Sequence, residues 1–308
     1  MTIATIDLGT NTFNLLVAET DASRIVSILY RNEMGIKLGQ GGINKKIITH
    51  EAWQRGLEGV GRQIGKARTF HPEKILIVAT SGIRSAENGR AFIEQIRHDH
   101  GLEVKVITGD QEAELIYRGV RQAVDLGDQP ALIIDIGGGS NECIIGDANR
   151  LIWKKSFDIG MARILERFKP SDPITSHEVE QIKAYYEQSL EPLFNQMQQY
   201  PARKFIGCAG TFETVRSILT ANNLMEPPVD DRAAYEIPYP LFYQLYRQLL
   251  TSTSQERRNI KGLELFRVDM IVLAGIFVNF IMEKFNFDRL VQSDFSIKEG
   301  AVDEFLNP

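Results

Sequence analysis

ALIIDIGGGSNECIIGD, residues 131–147, sets three consecutive glycines between two runs of β-branched and apolar residues. Glycine offers no side chain to a sheet and loses more backbone freedom on folding than any other residue, so three together are a local liability. The pattern predicts a hairpin: a buried strand, a tight turn and a returning strand. Its bare turn implies that something approaches the backbone more closely than a Cβ would allow.

The same order recurs near the N-terminus. ATIDLGTNTFNLLVA, residues 4–18, places Asp7 and Gly9 where the later stretch has Asp135 and Gly137, 128 residues apart, and Thr12 falls opposite Ser140. One glycine-rich turn is a weak signal. Two at a domain-sized spacing predict a duplicated architecture with one phosphate-facing turn from each half. The material after each copy alternates, which indicates α/β domains on mixed sheets. Helices are expected over about 51–70, 85–98 and 111–124, and strands over 74–81, 102–108 and 151–160. Thr175 with Glu178 forms a capping-box pattern opening a helix to about Gln199. KFIGCAG (204–210) reads as a buried strand, and TFETVRSIL as a helix with Thr211 as its N-cap. Residues 222–240 carry four prolines and several charges and read as an irregular surface insertion.

Length and composition bound the class. A chain of 308 residues with 43% hydrophobic content favours two domains, each with a sizeable core. A formal charge of −5 argues against a broadly basic, nucleic-acid-binding surface, though not against a local anion site. MTIATIDLG has neither a basic leader nor a small-residue cleavage site, so it does not read as a signal peptide. The most apolar run, Met270 to Met282, is 13 residues long, too short for a bilayer, and reads as a buried helix. Cys143 and Cys208 sit in apolar segments and read as buried thiols in a reducing, cytoplasmic compartment.

Several phosphate chemistries use glycine-rich turns. GGGSNE has no Lys at its end and leads into a strand, so it is not a P-loop. A G-x-G-x-x-G opening a helix is also missing. What remains is a concave run of backbone N–H groups between Asp135 and Glu142. Carboxylates beside a phosphate repel it unless a cation intervenes, which points to Mg2+. A plain hairpin with solvated acids stays open as the alternative on this evidence alone.

IDLGTNTFNLL, ATSGIRSAEN, GDQEAELIYRGV, IDIGGGSNE, DIGMARILERF, GCAGTFETV and SIKEGAVDEFL follow one another in this chain. In that order they resemble the exopolyphosphatase and guanosine pentaphosphate phosphohydrolase (Ppx/GppA) family, in its short two-domain form, over nearly the whole length. The resemblance implies two ribonuclease-H-like domains of the actin, Hsp70 and sugar-kinase superfamily with mixed sheets and an interdomain cleft. The domains expected are 1–124, rejoined by a C-terminal helix over 297–308, and 125–296. Glu112 matches the family's general base, in the first turn of its helix. Glu114 would point about 200° around that helix and is the poorer candidate. Arg84 matches a phosphate-contacting arginine, whose planar fork can hold two oxygens. Thr10, Asn11, Ser140 and Asn141 would add donors at the turns, and Gly137, Gly138 and Gly139 backbone N–H groups. Asp7, Asp135 and Glu142 would surround Mg2+, with a strand-end Asp fixing its turn as the alternative for Asp7. Gly207, Gly210 and Thr211 match a third loop that closes on the ligand. Arg258, Lys261 and Arg267 would extend a cationic track, with ordinary helix charges as the alternative.

Two stretches depart from the family pattern. VDMIVLAG, residues 268–275, is more apolar than the glycine-rich stretch of relatives and reads as buried helix without ligand contact. Lys298 stands where an arginine is common, keeping the charge and losing the fork. The function implied is Mg2+-dependent removal of the terminal phosphate of inorganic polyphosphate. Guanosine pentaphosphate hydrolysis is the close alternative, followed by a superfamily kinase and a non-catalytic actin-like assembly protein. A nucleic-acid polymer and a membrane are not expected as partners, and a homodimer is left open.

Overall fold

The structure is a computed structural model that describes residues 1–227 and 233–308. Strands β1 (Thr2–Leu8), β2 (Thr12–Thr20) and β3 (Ile25–Gly35) come first, then α1 (His50–Arg68), β4 (Lys74–Ala79) and α2 (Ser81–Arg84). Next are α3 (Gly89–His100), β5 (Lys105–Val106) and α4 (Gly109–Ala123). The second half opens with β6 (Ala131–Ile136), β7 (Asn141–Gly146) and β8 (Leu151–Phe157), followed by α5 (Met161–Phe168), α6 (Ser176–Ser189) and α7 (Glu191–Gln199). It continues with β9 (Lys204–Cys208), α8 (Gly210–Ala221), β10 (Ala234–Pro238), α9 (Tyr239–Thr251) and α10 (Ser254–Arg257). The chain ends with α11 (Ile271–Phe285), β11 (Arg289–Ser293) and α12 (Ile297–Leu306).

Two sheets follow one plan. The first has the order β3-β2-β1-β4-β5, an antiparallel meander continued by parallel β4 and β5. The second repeats it as β8-β7-β6-β9-β11, with β10 added antiparallel at the edge of β11. The chain therefore folds as two ribonuclease-H-like domains, the duplication that the hairpins predict and the fold that the family resemblance implies. The correspondence reaches single hydrogen bonds. Gly9 N donates to Thr12 O at 3.0 Å, and Gly137 N donates to Ser140 O at 3.0 Å.

Helices α4 and α12 lie between the sheets. Ile116 and Val120 of α4 cluster with Ile133, Ile144 and Ile206 of the second sheet. Val302 of α12 clusters with Ile3, Leu16 and Ala18 of the first. Each of the Ile, Leu and Val side chains, fully buried, stabilises by roughly 1.5–3 kcal/mol. The two helices then meet backbone to backbone. A Cβ on Gly119 would stand 1.9 Å from Ser296 O, and one on Gly300 1.8 Å from Leu115 O.

Several expected elements are corrected. The helix expected over 85–98 starts only at Gly89, after the short α2 and a turn at 85–88, and Gly89 passes so close to Ile83 O that a Cβ would stand 2.2 Å from it. The strand expected over 102–108 pairs only at Lys105–Val106. Thr175 caps its helix as expected, but that helix ends at Ser189, since Pro192 lacks the N–H a continuous helix needs and instead starts α7. Thr211 is not the N-cap of α8. Ala209 is, at φ 62°, and Thr211 Oγ1 donates to Ile136 O at 3.5 Å. Within the segment expected to be irregular, Ala234–Pro238 is strand β10, while residues 228–232 lie outside the described residues. Cys143 and Cys208 are buried free thiols. Residues Ile271 to Met282 of α11 are all buried, and among the described residues no helix is long and apolar enough to cross a membrane.

Candidate functional site

The duplicated turns meet at a cleft of about 110 Å³ between the two halves. Its walls include Thr10 and Asn11 from the first turn, Gly137 to Ser140 from the second, and Gly210 and Thr211 from the start of α8. The carbonyls of each turn are tied off by hydrogen bonds. Thr10 O accepts from Gly39 N, and Asn11 O accepts from the N–H groups of Ile36 and Lys37. Gly137 O and Gly138 O accept from Met161 N and Ala162 N of α5, and Gly139 O accepts from Arg163 Nε at 2.7 Å. A trans peptide points its N–H opposite to its C=O, so the N–H groups of Asn11, Gly138, Gly139 and Ser140 point away from the groups that hold these carbonyls. Among the described residues, those of Thr10, Asn11, Gly138, Gly139 and Ser140 donate to no protein acceptor. They form an anion-binding concavity from two lobes.

The glycines serve the protein's own packing as well. A Cβ on Gly139 would stand 2.5 Å from Thr10 Oγ1 and 2.6 Å from Ser81 Oγ, and one on Gly138 3.1 Å from Asn11 Cβ. Part of the close approach that the triple glycine permits is thus made by the opposing turn.

Six carboxylates line the cleft, Glu33, Glu213 and four from the strand ends and α4. Asp7 and Asp135 end the first strand of each sheet, Glu142 lies directly across from Asp135 in the register, and Glu112 comes from the first turn of α4. The capping box of Thr108 and Gln111 fixes that first turn. Burial pushes Asp7 up to about 6, and burial with the charge of Glu142 pushes Asp135 up to about 8. Glu112 is raised well above its ordinary value by burial first and by Glu142 second, against the opposing pull of Arg84. Glu142 is raised by burial, with hydrogen bonds from Ser156 and Ser140 opposing. Arg84 does not line the cleft. Its Nη1 holds Glu112 Oε2 at 2.8 Å and Ile107 O at 2.9 Å, so it orients the carboxylate. Glu114 faces away and pairs with Lys154 at 2.7 Å, as its place on the helix predicts.

Other expected residues are not brought to the cleft. Asn141 is fully buried outside its wall, as is Gly207, whose bare Cα makes room for the Phe212 ring. Arg258 and Lys261 do not reach it either, whereas Arg267 does, bonded to Glu33 across the lobes. Gly210 is bare because Arg267 lies against it. The first turn of α11 is also less remote than the apolar stretch predicts, since Met270, Ile271 and Ala274 line the cleft. Lys298 lines it too. Burial pulls its ammonium down, but Glu299, Glu213 and Asp7 outweigh this and leave it raised. Sequence reasoning missed Asn14, Ser81, Glu213 and Ser296. The signal for Asn14 was present: the 128-residue offset carries it onto Glu142, and its Nδ2 donates to Asp7 Oδ2 at 3.0 Å.

The donor set fits a divalent cation in part. Asp7 Oδ1 is buried without a partner, as are Asn11 Oδ1 and Ser81 Oγ. The second oxygens are engaged, Asp7 Oδ2 by Asn14, Asp135 Oδ2 by Ser296 and Glu142 Oε1 by Ser156. Among the described residues no three His, Cys, Asp or Glu side chains group closely enough to hold an ion by themselves. That is the provision Mg2+ commonly uses, one or two carboxylates with phosphate oxygens and water completing the shell.

Residues 16–307 match the sequence profile of the Ppx/GppA phosphatase family. The chain is 28% identical over 315 residues to exopolyphosphatase 2 of Mycobacterium tuberculosis, covering 97% of each chain. It is 26% identical over 305 residues to a guanosine-5'-triphosphate,3'-diphosphate pyrophosphatase of Photobacterium profundum, of which it spans 59% of the length. The crystal structure of an exopolyphosphatase from Cytophaga hutchinsonii superposes with a TM-score of 0.96 at 34% identity, covering 100% of this chain and 98% of that one.

Proposed function

We propose that this chain, which belongs to the Ppx/GppA phosphatase family, removes the terminal phosphate of inorganic polyphosphate as orthophosphate. Family membership makes it a hydrolase of phosphoanhydride bonds. The observation that carries the substrate class is the pair of opposed turns that line one cleft and carry N–H groups without protein acceptors. Such a site suits a chain of phosphates, and phosphoryl transfer asks a protein mainly for positioning and charge stabilisation.

Glu112 is the proposed base. Water is oriented by its carboxylate and gives up its proton there as it attacks the terminal phosphorus in line, and the bridging P–O bond breaks on the far side. Arg84 keeps the carboxylate in place and partly offsets the burial that would otherwise hold it protonated. The free N–H groups of both turns bind the non-bridging oxygens. Mg2+ would be held by Asp7, with Asp135 or Glu142 and substrate oxygens, and would neutralise phosphate charge. Lys298 adds a fixed cation at the first-lobe wall.

Polyphosphate is favoured over guanosine pentaphosphate because the exopolyphosphatase relatives are matched over nearly their whole length, while the pyrophosphatase relative is not. The test compares orthophosphate release from long-chain polyphosphate, guanosine pentaphosphate and ATP with Mg2+. Fastest release from polyphosphate is expected. Preference for the guanosine compound would reverse the order, and release from none would return the kinase and assembly readings.

A further inference from the structure

Arg163 lies in α5, on none of the expected site positions, yet its guanidinium reaches three parts of the molecule. Its Nε donates to Gly139 O at 2.7 Å in the triple-glycine turn. Its Nη1 donates to Ile43 O at 3.2 Å and its Nη2 to Ser85 Oγ at 3.3 Å, both in the first lobe. Asp158 balances its charge at 3.4 Å, and only 12% of the Arg163 side chain is exposed.

We propose that Arg163 is a positioning residue that couples lobe closure to the orientation of the second phosphate turn. The peptide whose carbonyl it holds carries the Ser140 N–H on its opposite edge, and Ser140 lines the cleft. Fixing Gly139 O therefore aims that donor. The same planar fork holds Ile43 O and Ser85 Oγ of the first lobe, so one side chain ties the turn to the opposite lobe. Ser85 directly follows Arg84, the partner of Glu112, so closure brings the base and the turn into register together. A lysine could hold one of these acceptors but not the fork.

This inference rests on the phosphatase reading for its kinetic arm and on geometry alone for its structural arm. Spin labels at Gly65→Cys in α1 and Gln198→Cys in α7 report the lobe separation by pulsed dipolar spectroscopy, the native thiols being buried. Without ligand, the parent protein is expected to show one dominant short distance, and Arg163→Ala and Arg163→Lys to broaden it toward longer distances. At saturating long-chain polyphosphate both variants should lose about tenfold or more in kcat, and lysine should fail to rescue. If lysine restores both distance and kcat, or if the folded variants keep the parent distances, the coupling is overturned. If the parent releases no phosphate, the phosphatase reading falls, while the ligand-free distances still decide whether Arg163 latches the lobes.

Discussion

Glu112 has its acidity set by causes of known sign: burial, Glu142 and Asp7 raise it, and Arg84 lowers it. A base must be ionised to act, so removing Arg84 shifts the acid limb of the rate profile to higher pH. For Arg84→Gln we expect a shift of about 1 to 3 pH units, read from kcat against pH. An unmoved limb would detach Arg84 from the base. Gly139→Ala tests the turn, since a Cβ there meets Thr10 and Ser81 of the other lobe. Weaker substrate binding, about tenfold or more in KM, should accompany it with the fold intact by circular dichroism. At this scale the sequence carried Glu112, the glycines and the flanking acids, because each sits in a local pattern with its own chemistry. It did not carry Ser81 or Glu213, which reach the cleft only through helix starts placed by tertiary packing. Nor did it tell that Arg84 would grip the base and stand off the cleft wall.

The elements that set the site are α4 and α12, whose backbones touch between the sheets at Gly119 and Gly300. Alanine at either glycine must push the helices apart. Gly300→Ala should destabilise by about 1–3 kcal/mol, measured by urea unfolding, and lower turnover by moving Glu112 on α4. Unchanged stability would mean that the contact is slack. Thr108→Ala removes the cap that fixes the first turn of α4 and should cost about 1 kcal/mol. Both hairpins, the capping box at Thr175 and the buried helix after Met270 were legible from strict local patterns. Breaks at residues 85–88 and at Leu190, and the late strand β10, were not, because close backbone approach and sheet pairing decide them.

For the whole molecule, folding gathers Asp7, Asp135, Glu112 and Glu142 at the junction of two lobes and lifts their affinity for protons. A carboxyl whose folded pKa is raised stabilises the fold below its unfolded value near 4 and loses that contribution as pH rises through the folded value. With Asp7 at about 6 and Asp135 at about 8, metal-free stability should fall between pH 4 and pH 8. Mg2+ should restore more of it at pH 8 than at pH 5, because it binds the ionised forms. Thermal melts at the two pH values, with and without Mg2+, check this, and a metal effect independent of pH would contradict it.

Two copies of one hairpin, closing on a phosphate chain with Glu112 beside it, make a single kinetic demand. The decisive measurement is orthophosphate release at saturating long-chain polyphosphate with Mg2+, in the parent protein and in Glu112→Gln, alongside polyphosphate affinity in both. The expected result is a fall of about 10²-fold or more in turnover with affinity nearly unchanged. Equal turnover in the two proteins would contradict the account.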